Sequence, residues 1–415
     1  MLRRVVVFSR DMKILVLNSG SSSLKYKLIL MPEERVHAWG MVERIGEPDG
    51  KSVLKHRLDN GGTLEKEIDC KDHRQALEKV LETIVDARNG CISSVEEIGA
   101  VGHRVVHGKD IFNGPTLVSE DDIKRMKDLI ELAPLHMPAN ITCIEACREI
   151  LPGTPQVAHF DTSFFQSMPR HAYMYPVPME WHEKHGVRRY GFHGTSHQYV
   201  TEAASDMLGI PPGELKVITA HLGNGSSITA YAKGRVLDTS MGFTPLEGLM
   251  MGTRVGYLDP AVIPYMMSKT GASVEEIERI LNNESGLEAI SGVGRDMRNI
   301  LKAREEGNEN AELAFRMFVH ALLKYVGAYF FEMGGADAIV FTGGVGENSP
   351  EVRGELFKNL DRVGIVVDER KNMETVAGKR GFINADSSTV KILVIPTDEE
   401  LMIARETRKI IEFSN

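Results

Sequence analysis

The stretch LVLNSGSSSLK, residues 15–25, joins two apolar runs through a turn rich in glycine and serine. This pattern predicts two short β-strands connected by a tight hairpin. A similar stretch, AHLGNGSSITA, occupies residues 220–230, about half a chain later. Glycine and serine are frequent in hairpin turns of any protein, so either stretch alone is weak evidence. The pair favours two domains of common plan that face one ligand.

Strand-like and helical patterns alternate on both sides of these hairpins, which predicts a mixed α/β protein. A chain of 415 residues is also too long for one hydrophobic core, so we expect two domains. The first 60 residues resemble a β-meander. The main predicted strands are 13–18, 24–30, 35–42, 52–58, 216–222, 226–232, 337–344 and 390–396, and the main predicted helices are 73–88, 274–283, 312–333 and 398–413.

Charge and composition exclude several classes of protein. The net charge of -9 argues against a nucleic-acid binder, which needs a dominant basic field. The apolar run at residues 5–8 is too short for a signal peptide or a membrane span, so we expect a cytoplasmic protein without a membrane partner. Residues 1–11 precede the first strand of the predicted fold and are expected to lie outside it.

The four cysteines show neither redox nor metal-binding spacing, and we expect Cys143 and Cys147, one helical turn apart, to be small core residues.

Three segments have the chemistry of phosphate binding, although the chain lacks the glycine-rich signatures of P-loop and dinucleotide-binding proteins. The first, residues 18–25, combines a glycine and three serines with Lys25. The second, residues 221–227, repeats glycine with two serines. The third, FTGGVGENSP at 341–350, leads from a strand into a helix for which Ser349 is the predicted N-cap and Pro350 the first residue.

Charged residues near glycines and strand ends are further candidates. Arg104, Arg254 and Arg298 stand in glycine-bounded loops, where a guanidinium can bind a carboxylate or a phosphate. Asp161 directly follows a predicted strand and therefore needs a partner. His193 and His197 have the spacing of zinc ligands on a helix, but the acid of that motif is missing, so we expect His193 to be a hydrogen-bond donor in a turn.

Assembled in order, these motifs resemble those of the acetate kinase family, within the actin-like superfamily of sugar kinases and heat-shock ATPases. The resemblance extends from Met12 to the last helix. It rests on LVLNSGSSSLK (15–25), GHRVVHG (102–108), YGFHGTSH (190–197), AHLGNGSS (220–227), TSMGFTPLEGLMMGTRVGYLDP (239–260), FTGGVGENS (341–349) and IPTDEEL (395–401).

The resemblance implies two actin-like (ribonuclease H-like) α/β domains with the nucleotide cleft between them. The implied boundaries are 12–165 with 399–415 for the first domain and 166–398 for the second, which would carry most of the ATP site. A homodimer is the family expectation.

The resemblance also implies roles for individual residues. The catalytic residues would be Asp161, His193 and Arg254. Acetate would be bound by Arg104, with Val106, Leu135, Phe192 and Pro245 around its methyl group. Mg²⁺, with Mn²⁺ as an alternative, would be held by Asn18 and Glu399. ATP or ADP would contact Lys25, Ser21, Ser23, His221, Leu222, Gly223, Asn224, Gly225, Asp296, Met297, Arg298, Gly344, Val345, Gly346, Glu347 and Asn348. Asp398 stands where the family pattern leads us to expect asparagine.

The expected reaction is ATP + acetate ⇌ ADP + acetyl phosphate, by direct in-line attack. Two alternatives remain open at this point. A propionate or butyrate kinase would share the fold and differ in pocket size, and four inferred pocket residues discriminate weakly between acids. A non-catalytic actin-like nucleotide switch would leave Arg104 and Arg254 without an anionic acceptor to bind.

Overall fold

The structure is a computed structural model, and it describes residues 11–47, 51–134 and 136–414. Within those ranges, no helix combines the length and the apolar character needed to cross a bilayer. The strands are β1 Met12–Ser19, β2 Ser23–Met31, β3 Arg35–Glu43, β4 Lys51–Leu58, β5 Thr63–Asp69, β6 Ile98–Val105, β7 Thr116–Leu117, β8 Gln156–Phe160, β9 Lys216–Leu222, β10 Ser226–Ala232, β11 Arg235–Thr239, β12 Ala338–Thr342, β13 Gly381–Phe382 and β14 Lys391–Val394.

The α-helices complete the mixed α/β pattern. They are α1 His73–Ile84, α2 Glu120–Lys127, α3 Met137–Ile150, α4 Arg170–Tyr173, α5 Met179–His185, α6 Gly194–Leu208, α7 Val262–Thr270, α8 Val274–Asn283, α9 Gly286–Ser291, α10 Met297–Glu305, α11 Glu309–Glu332, α12 Gly343–Asn348, α13 Pro350–Phe357, α14 Glu369–Glu374 and α15 Glu399–Ser414.

The chain divides into two compact units, one running to Ser163 and resuming at Asp398, the other Phe164–Thr397. Each unit has one sheet. The first sheet has the order β5-β4-β3-β2-β1-β6-β8-β7, and the second has the order β11-β10-β9-β12-β14-β13. The sequence analysis expects functional domains with boundaries at 165/166 and 398/399 and a nucleotide cleft between them. Both expectations stay predictions. Of the expected extension 1–11, residues 1–10 lie outside the described residues.

The two sheets contain the same five-stranded plan. In the first unit, β3, β2 and β1 are antiparallel neighbours, and β6 and β8 then continue the sheet in parallel with β1. In the second unit, β11, β10 and β9 are antiparallel, and β12 and β14 follow in parallel with β9. The two hairpins predicted from their Gly-Ser-Ser corners, β1–β2 and β9–β10, therefore occupy equivalent positions in the two sheets.

Strand β1 shows how the first sheet is buried on both faces. Its side chains alternate between faces, because successive residues of a strand point in opposite directions. Leu15 and Leu17 pack on the side of α1 and α3, whereas Ile14 and Val16 pack against α15. The residues at the end of β1 continue this alternation, which places Asn18 and Ser19 on opposite faces.

Arg353 is fully buried in α13 and connects three segments of the second unit. Its guanidinium donates to the carbonyls of Gly346 (2.7 Å) and Glu347 (3.0 Å), and to the side-chain and main-chain oxygens of Asn372 (2.7 and 2.8 Å). Burial lowers the pKa of Arg353 to about 10. The arginine thus holds the end of α12 against α14.

We expect Arg353→Met to destabilise the protein by about 3 kcal/mol or more, because several buried oxygens lose a charged donor. The measurement is the unfolding midpoint in urea, compared with that of Arg362→Ala, which removes an exposed arginine nearby. Equal midpoints for the two variants would contradict this role.

Candidate active site

In the first unit, strand register aligns three polar residues. Asn18 pairs with Lys25 across β1 and β2, and with Arg104 across β1 and β6. Because paired residues of neighbouring strands share a face, these three side chains stand side by side at one end of the sheet. Arg104 lies 79 residues after Lys25 and 86 residues after Asn18 in the sequence, so their alignment depends on the fold.

Arg104 is held by Asp161, which follows β8 and is 2% exposed. Two parallel bonds join them, from Nε to Oδ1 at 3.0 Å and from a terminal nitrogen to Oδ2 at 2.7 Å. Burial alone would lower the pKa of Arg104, but the charges of Asp161 and Glu399 outweigh it and raise that pKa above its ordinary value. The other terminal nitrogen of Arg104 donates to Asn18 Oδ1 at 3.3 Å. The pair fixes the plane of the guanidinium, as expected for a bidentate carboxylate contact.

Glu399, at the start of α15, places a second carboxylate beside the same arginine. Its Oε2 lies 3.7 Å from Arg104 Nε, and burial raises the pKa of this carboxyl. The amide oxygen of Asn18 and the carboxylate of Glu399 are hard oxygen donors of the kind that Mg²⁺ accepts. The donor set therefore fits the magnesium site that the family resemblance implies.

Asp398, the departure from the expected pattern, has partners of its own. Its Oδ1 accepts from the backbone N–H of Leu401 at 2.9 Å and from Lys27 Nζ at 2.7 Å. Lys27 Nζ also lies 3.3 Å from Glu400. Asp398 thus caps α15, and a lysine compensates its charge.

In the second unit, His193 precedes α6 in a left-handed conformation with φ 58°. A non-glycine residue in that region is strained, and such strain is found disproportionately at functional sites. Its Nδ1 lies 2.9 Å from Ser227 Oγ, and its ring stacks on His221 with centroids 4.3 Å apart. The expectation that His193 makes hydrogen bonds from a turn is consistent with this geometry.

Ser227 and His197 form a buried chain of hydrogen bonds behind His193. His197 Nε2 lies 2.7 Å from Ser227 Oγ, and its Nδ1 lies 2.7 Å from Thr219 Oγ1. Burial lowers the pKa of His197 well below its ordinary value, so its imidazole is neutral. Sequence reasoning considered His197 as a zinc ligand and missed this supporting role, because Thr219 and Ser227 lie on separate strands.

Arg254 converges with His193 on Gly225. A Cβ added to Gly225 would lie 3.3 Å from the His193 ring and 3.5 Å from the nearer terminal nitrogen of Arg254. Arg254 donates to the Pro245 carbonyl at 3.2 Å, and none of the described carboxylates forms an ion pair with it. Burial lowers the pKa of Arg254. A partly buried guanidinium without a carboxylate is suited to an anionic ligand.

The segment after β12 contains one short helix, α12, that the sequence analysis does not predict. It starts at Gly343, with Thr342 as N-cap, and Pro350 begins the next helix. The predicted helix is confirmed, because α13 begins at Pro350 with Ser349 as its N-cap. That its first N–H groups face a ligand stays a prediction. Glu347 Oε1 accepts from the Gly343 N–H at 2.8 Å and thus stabilises the first turn of α12 from within. Gly344 is exposed, and a Cβ there would meet no protein atom within 4 Å.

The other residues implied for ATP differ in what they expose. Ser21 and Asn224 are exposed in the two hairpin turns, and Ser23 is half-buried. Leu222 and Met297 have buried side chains, so only their backbones are accessible. Gly223 and Val345 are half-buried as well. Asn348 donates to the Gly344 carbonyl at 3.0 Å. Asp296 caps α10 and pairs with the exposed Arg298 at 2.6 Å.

The residues expected around the acetate methyl group come from both units. Val106, in the first, is half-buried, and its N–H donates to Asn140 Oδ1 at 3.1 Å. Phe192 and Pro245 are in the second unit, buried and half-buried. Leu135 lies outside the described residues. Their joint role as a pocket stays a prediction.

Comparisons with known proteins agree on one family. The model of the acetokinase family matches residues 13–405. An acetate kinase of Caldanaerobacter subterraneus subsp. tengcongensis is 50% identical over 97% of this chain and 99% of its own length. The crystal structure of Porphyromonas gingivalis acetate kinase superposes with a TM-score of 0.92 at 47% identity, covering 96% of this chain and 100% of that one.

A propionate kinase from Francisella tularensis subsp. tularensis has a TM-score of 0.89 at 40% identity, covering 96% of this chain and 99% of its own. The expected fold class, that of the two-domain actin-like kinases, is thereby confirmed. A family match over almost the whole chain, with about half of its residues identical to those of a relative of equal length, leads to one conclusion: the chain belongs to the acetokinase family.

Proposed function

We propose that this chain catalyses the reversible transfer of the γ-phosphoryl group of ATP to acetate, which yields acetyl phosphate and ADP. The observation that carries the proposal is the bidentate Arg104–Asp161 pair, because it presents an oriented guanidinium to a carboxylate substrate. The identity to acetate kinases supports the choice of acceptor.

The acetate carboxylate is ionised at neutral pH, so its oxygen can attack phosphorus without a general base. The obstacle is the repulsion between acetate and the phosphates. Catalysis therefore depends on positioning and on charge neutralisation. Arg104 binds the carboxylate, and Asp161 acts on Arg104 by holding its plane. Asp161 is thus a positioning residue in this mechanism.

Arg254 and His193 stabilise the charge that develops on the transferred phosphoryl group. Both adjoin Gly225, where the absence of a side chain leaves room for a phosphate. When His197 Nε2–H donates to Ser227, the Ser227 hydroxyl donates to His193 Nδ1, and a neutral His193 then carries its proton on Nε2. His193 can then donate from Nε2 to a phosphoryl oxygen.

The hairpin turns, the first turn of α12 and the start of α10 bind the nucleotide, with Lys25 contributing a further positive charge. Asn18 and Glu399 would hold Mg²⁺, which supplies neutralisation of phosphate charge when bound. We propose further that the chain works as a homodimer in the cytoplasm, where ATP is available, with acetate and ATP as its small-molecule partners.

The first experiment is an assay with Mg-ATP, hydroxylamine, and acetate, propionate or butyrate in parallel. Acyl hydroxamate reports the acyl phosphate formed. We expect kcat/KM to be highest for acetate. A higher value for propionate would make the chain a propionate kinase. That alternative is tested because a propionate kinase is among the similar structures. No hydroxamate with any acid would support the nucleotide switch instead.

Asp161→Asn should lower kcat/KM for acetate by about 10²–10³-fold, because the amide presents an NH₂ group to one edge of Arg104 and releases its plane. The kcat of the wild type should be independent of pH between about 6 and 8, since acetate has no proton to give up there. A wild-type pH limb that disappears in Asp161→Asn would restore a general-base role.

Glu34→Gln is the matched control for that variant. Glu34 holds Arg405 of α15 through two bonds of 2.6 and 2.8 Å, in the same unit but without any proposed ligand. This variant also removes one carboxylate from a bidentate pair. It should keep wild-type kinetics, whereas equal losses in both variants would indicate a general effect on stability.

Gly344→Ala should raise the KM for ATP by about tenfold or more and leave the KM for acetate nearly unchanged. The added methyl group meets no protein atom, so its effect depends on a nucleotide lying over the first turn of α12. Gly327→Ala, which also adds a methyl group in open space on α11, is the control and should behave as wild type. An unchanged KM for ATP in Gly344→Ala would remove this contact.

A further inference from the structure

A cluster of soft ligands lies behind the candidate site of the first unit. Cys143 and Cys147 of α3 and His103 of β6 are 1%, 0% and 2% exposed. One ligand atom from each, the two sulfurs and a ring nitrogen, lie within 4.8 Å of one another. The sequence predicts core packing for both cysteines, and they are indeed buried. The histidine could not be anticipated from cysteine spacing, because it comes from another element.

The proton on His103 can be located from its neighbours. Gln156 Nε2 donates to the Thr154 carbonyl at 3.0 Å, which turns Gln156 Oε1 toward His103 Nε2 at 2.7 Å. A carbonyl oxygen only accepts, so His103 Nε2 carries the hydrogen. The lone pair of the neutral ring is therefore on Nδ1. A histidine held this way by its other nitrogen has the arrangement that metal-binding histidines usually show.

A fourth polar atom lies beside the cluster. The Ser19 side chain interacts with the Cys143 thiol, yet its buried hydroxyl has no conventional hydrogen-bond partner. Ser19 is 5% exposed. A buried hydroxyl without such a partner costs free energy, which a ligand at this position would recover.

The helical spacing of the cysteines decides between a disulfide and a metal. Side chains at i and i+4 have Cβ atoms about 5–6 Å apart, whereas a disulfide needs about 3.5–4.5 Å. Two sulfurs bound to one tetrahedral Zn²⁺ at about 2.3 Å lie about 3.8 Å apart, which the 4.8 Å cluster accommodates.

Charge balance favours a divalent ion. When the ion binds, the two thiols release their protons to solvent. The two thiolates then balance the +2 charge of the ion, and the neutral imidazole adds no charge. A neutral complex avoids the cost of a buried net charge. A thiophilic divalent cation fits better than Mg²⁺, which prefers oxygen donors.

We propose that Cys143, Cys147 and His103, with Ser19 as the fourth ligand, form a buried structural site for a thiophilic divalent cation such as Zn²⁺. Ser19 and His103 are chain neighbours of Asn18 and Arg104 and point to the opposite face of the sheet. The ion would connect β1, β6 and α3 directly behind the residues that we assign to acetate and Mg²⁺.

The test is the zinc content of the full-length protein, expressed in zinc-supplemented medium and dialysed against a weak chelator. We expect about one tightly held zinc per chain. Cys143→Ser and Cys147→Ser should each reduce it at least tenfold. Cys70→Ser and Cys91→Ser, at the two cysteines outside the cluster, should retain it. Equal zinc content in all four variants, or none in the wild type, would overturn the proposal.

Cobalt provides a readout that, in the wild-type protein, does not depend on the folding of a variant. Wild-type protein expressed with Co²⁺ should show a sulfur-to-cobalt charge-transfer band in the near ultraviolet, and Ser19→Ala should change the visible bands of the ion. Bound cobalt without the charge-transfer band would mean that the thiols are not ligands. Neither measurement uses catalytic activity, so each can fail independently of the proposed kinase function.

Discussion

Arg104 reaches the end of the first sheet on β6, and there Asp161 engages one edge of its guanidinium through two parallel bonds. Asn18 and Glu399 then take positions around the same charge. Without Asp161, the arginine would stand between an amide oxygen and one carboxylate with several rotamers open to it. The geometry of the first unit's polar cluster therefore depends on this ion pair, and the pair itself depends on the parallel register of β1, β6 and β8.

In the second unit, the candidate site residues Arg254 and His193 are held in place by a different kind of contact. Among the described residues, no carboxylate pairs with Arg254, which donates to the Pro245 carbonyl instead. The neighbouring His193 is held in a strained backbone conformation and is buttressed by Ser227 and His197. Orientation there comes from neutral hydrogen bonds, which leave the charge of Arg254 uncompensated. Arg104 of the first unit is thus paired with a carboxylate, whereas Arg254 of the second unit is held by a neutral carbonyl.

Local patterns predicted the hairpins and the two-round α/β organisation, since strand alternation and turn composition are encoded within a few residues. Asp161 could be singled out because a carboxylate at the end of a buried strand needs a partner, but the partner's identity required the register between β6 and β8. The helix that begins after Ser349 was predicted correctly, but the short helix α12 before it was missed. Glycine is a poor helix former, and Ser-Pro is a strong local start signal, whereas the Glu347 contacts that support the glycine turn are tertiary in part. His103 and the cysteine pair meet only after β6 and α3 have packed.

The position of α15 has a consequence for how the protein is made. This helix follows every other described element in the sequence, yet it covers the face of the first sheet formed by Ile14 and Val16. Ion pairs of Asp398 with Lys27 and of Arg405 with Glu34 anchor it there. During synthesis, the strands of the first unit leave the ribosome more than 200 residues before this helix does. The second unit, whose residues are contiguous, has all its elements available earlier, so the first segment to be translated belongs to the last unit that can be completed. Until α15 is made, the apolar face that includes Ile14 and Val16 lacks the helix that buries it.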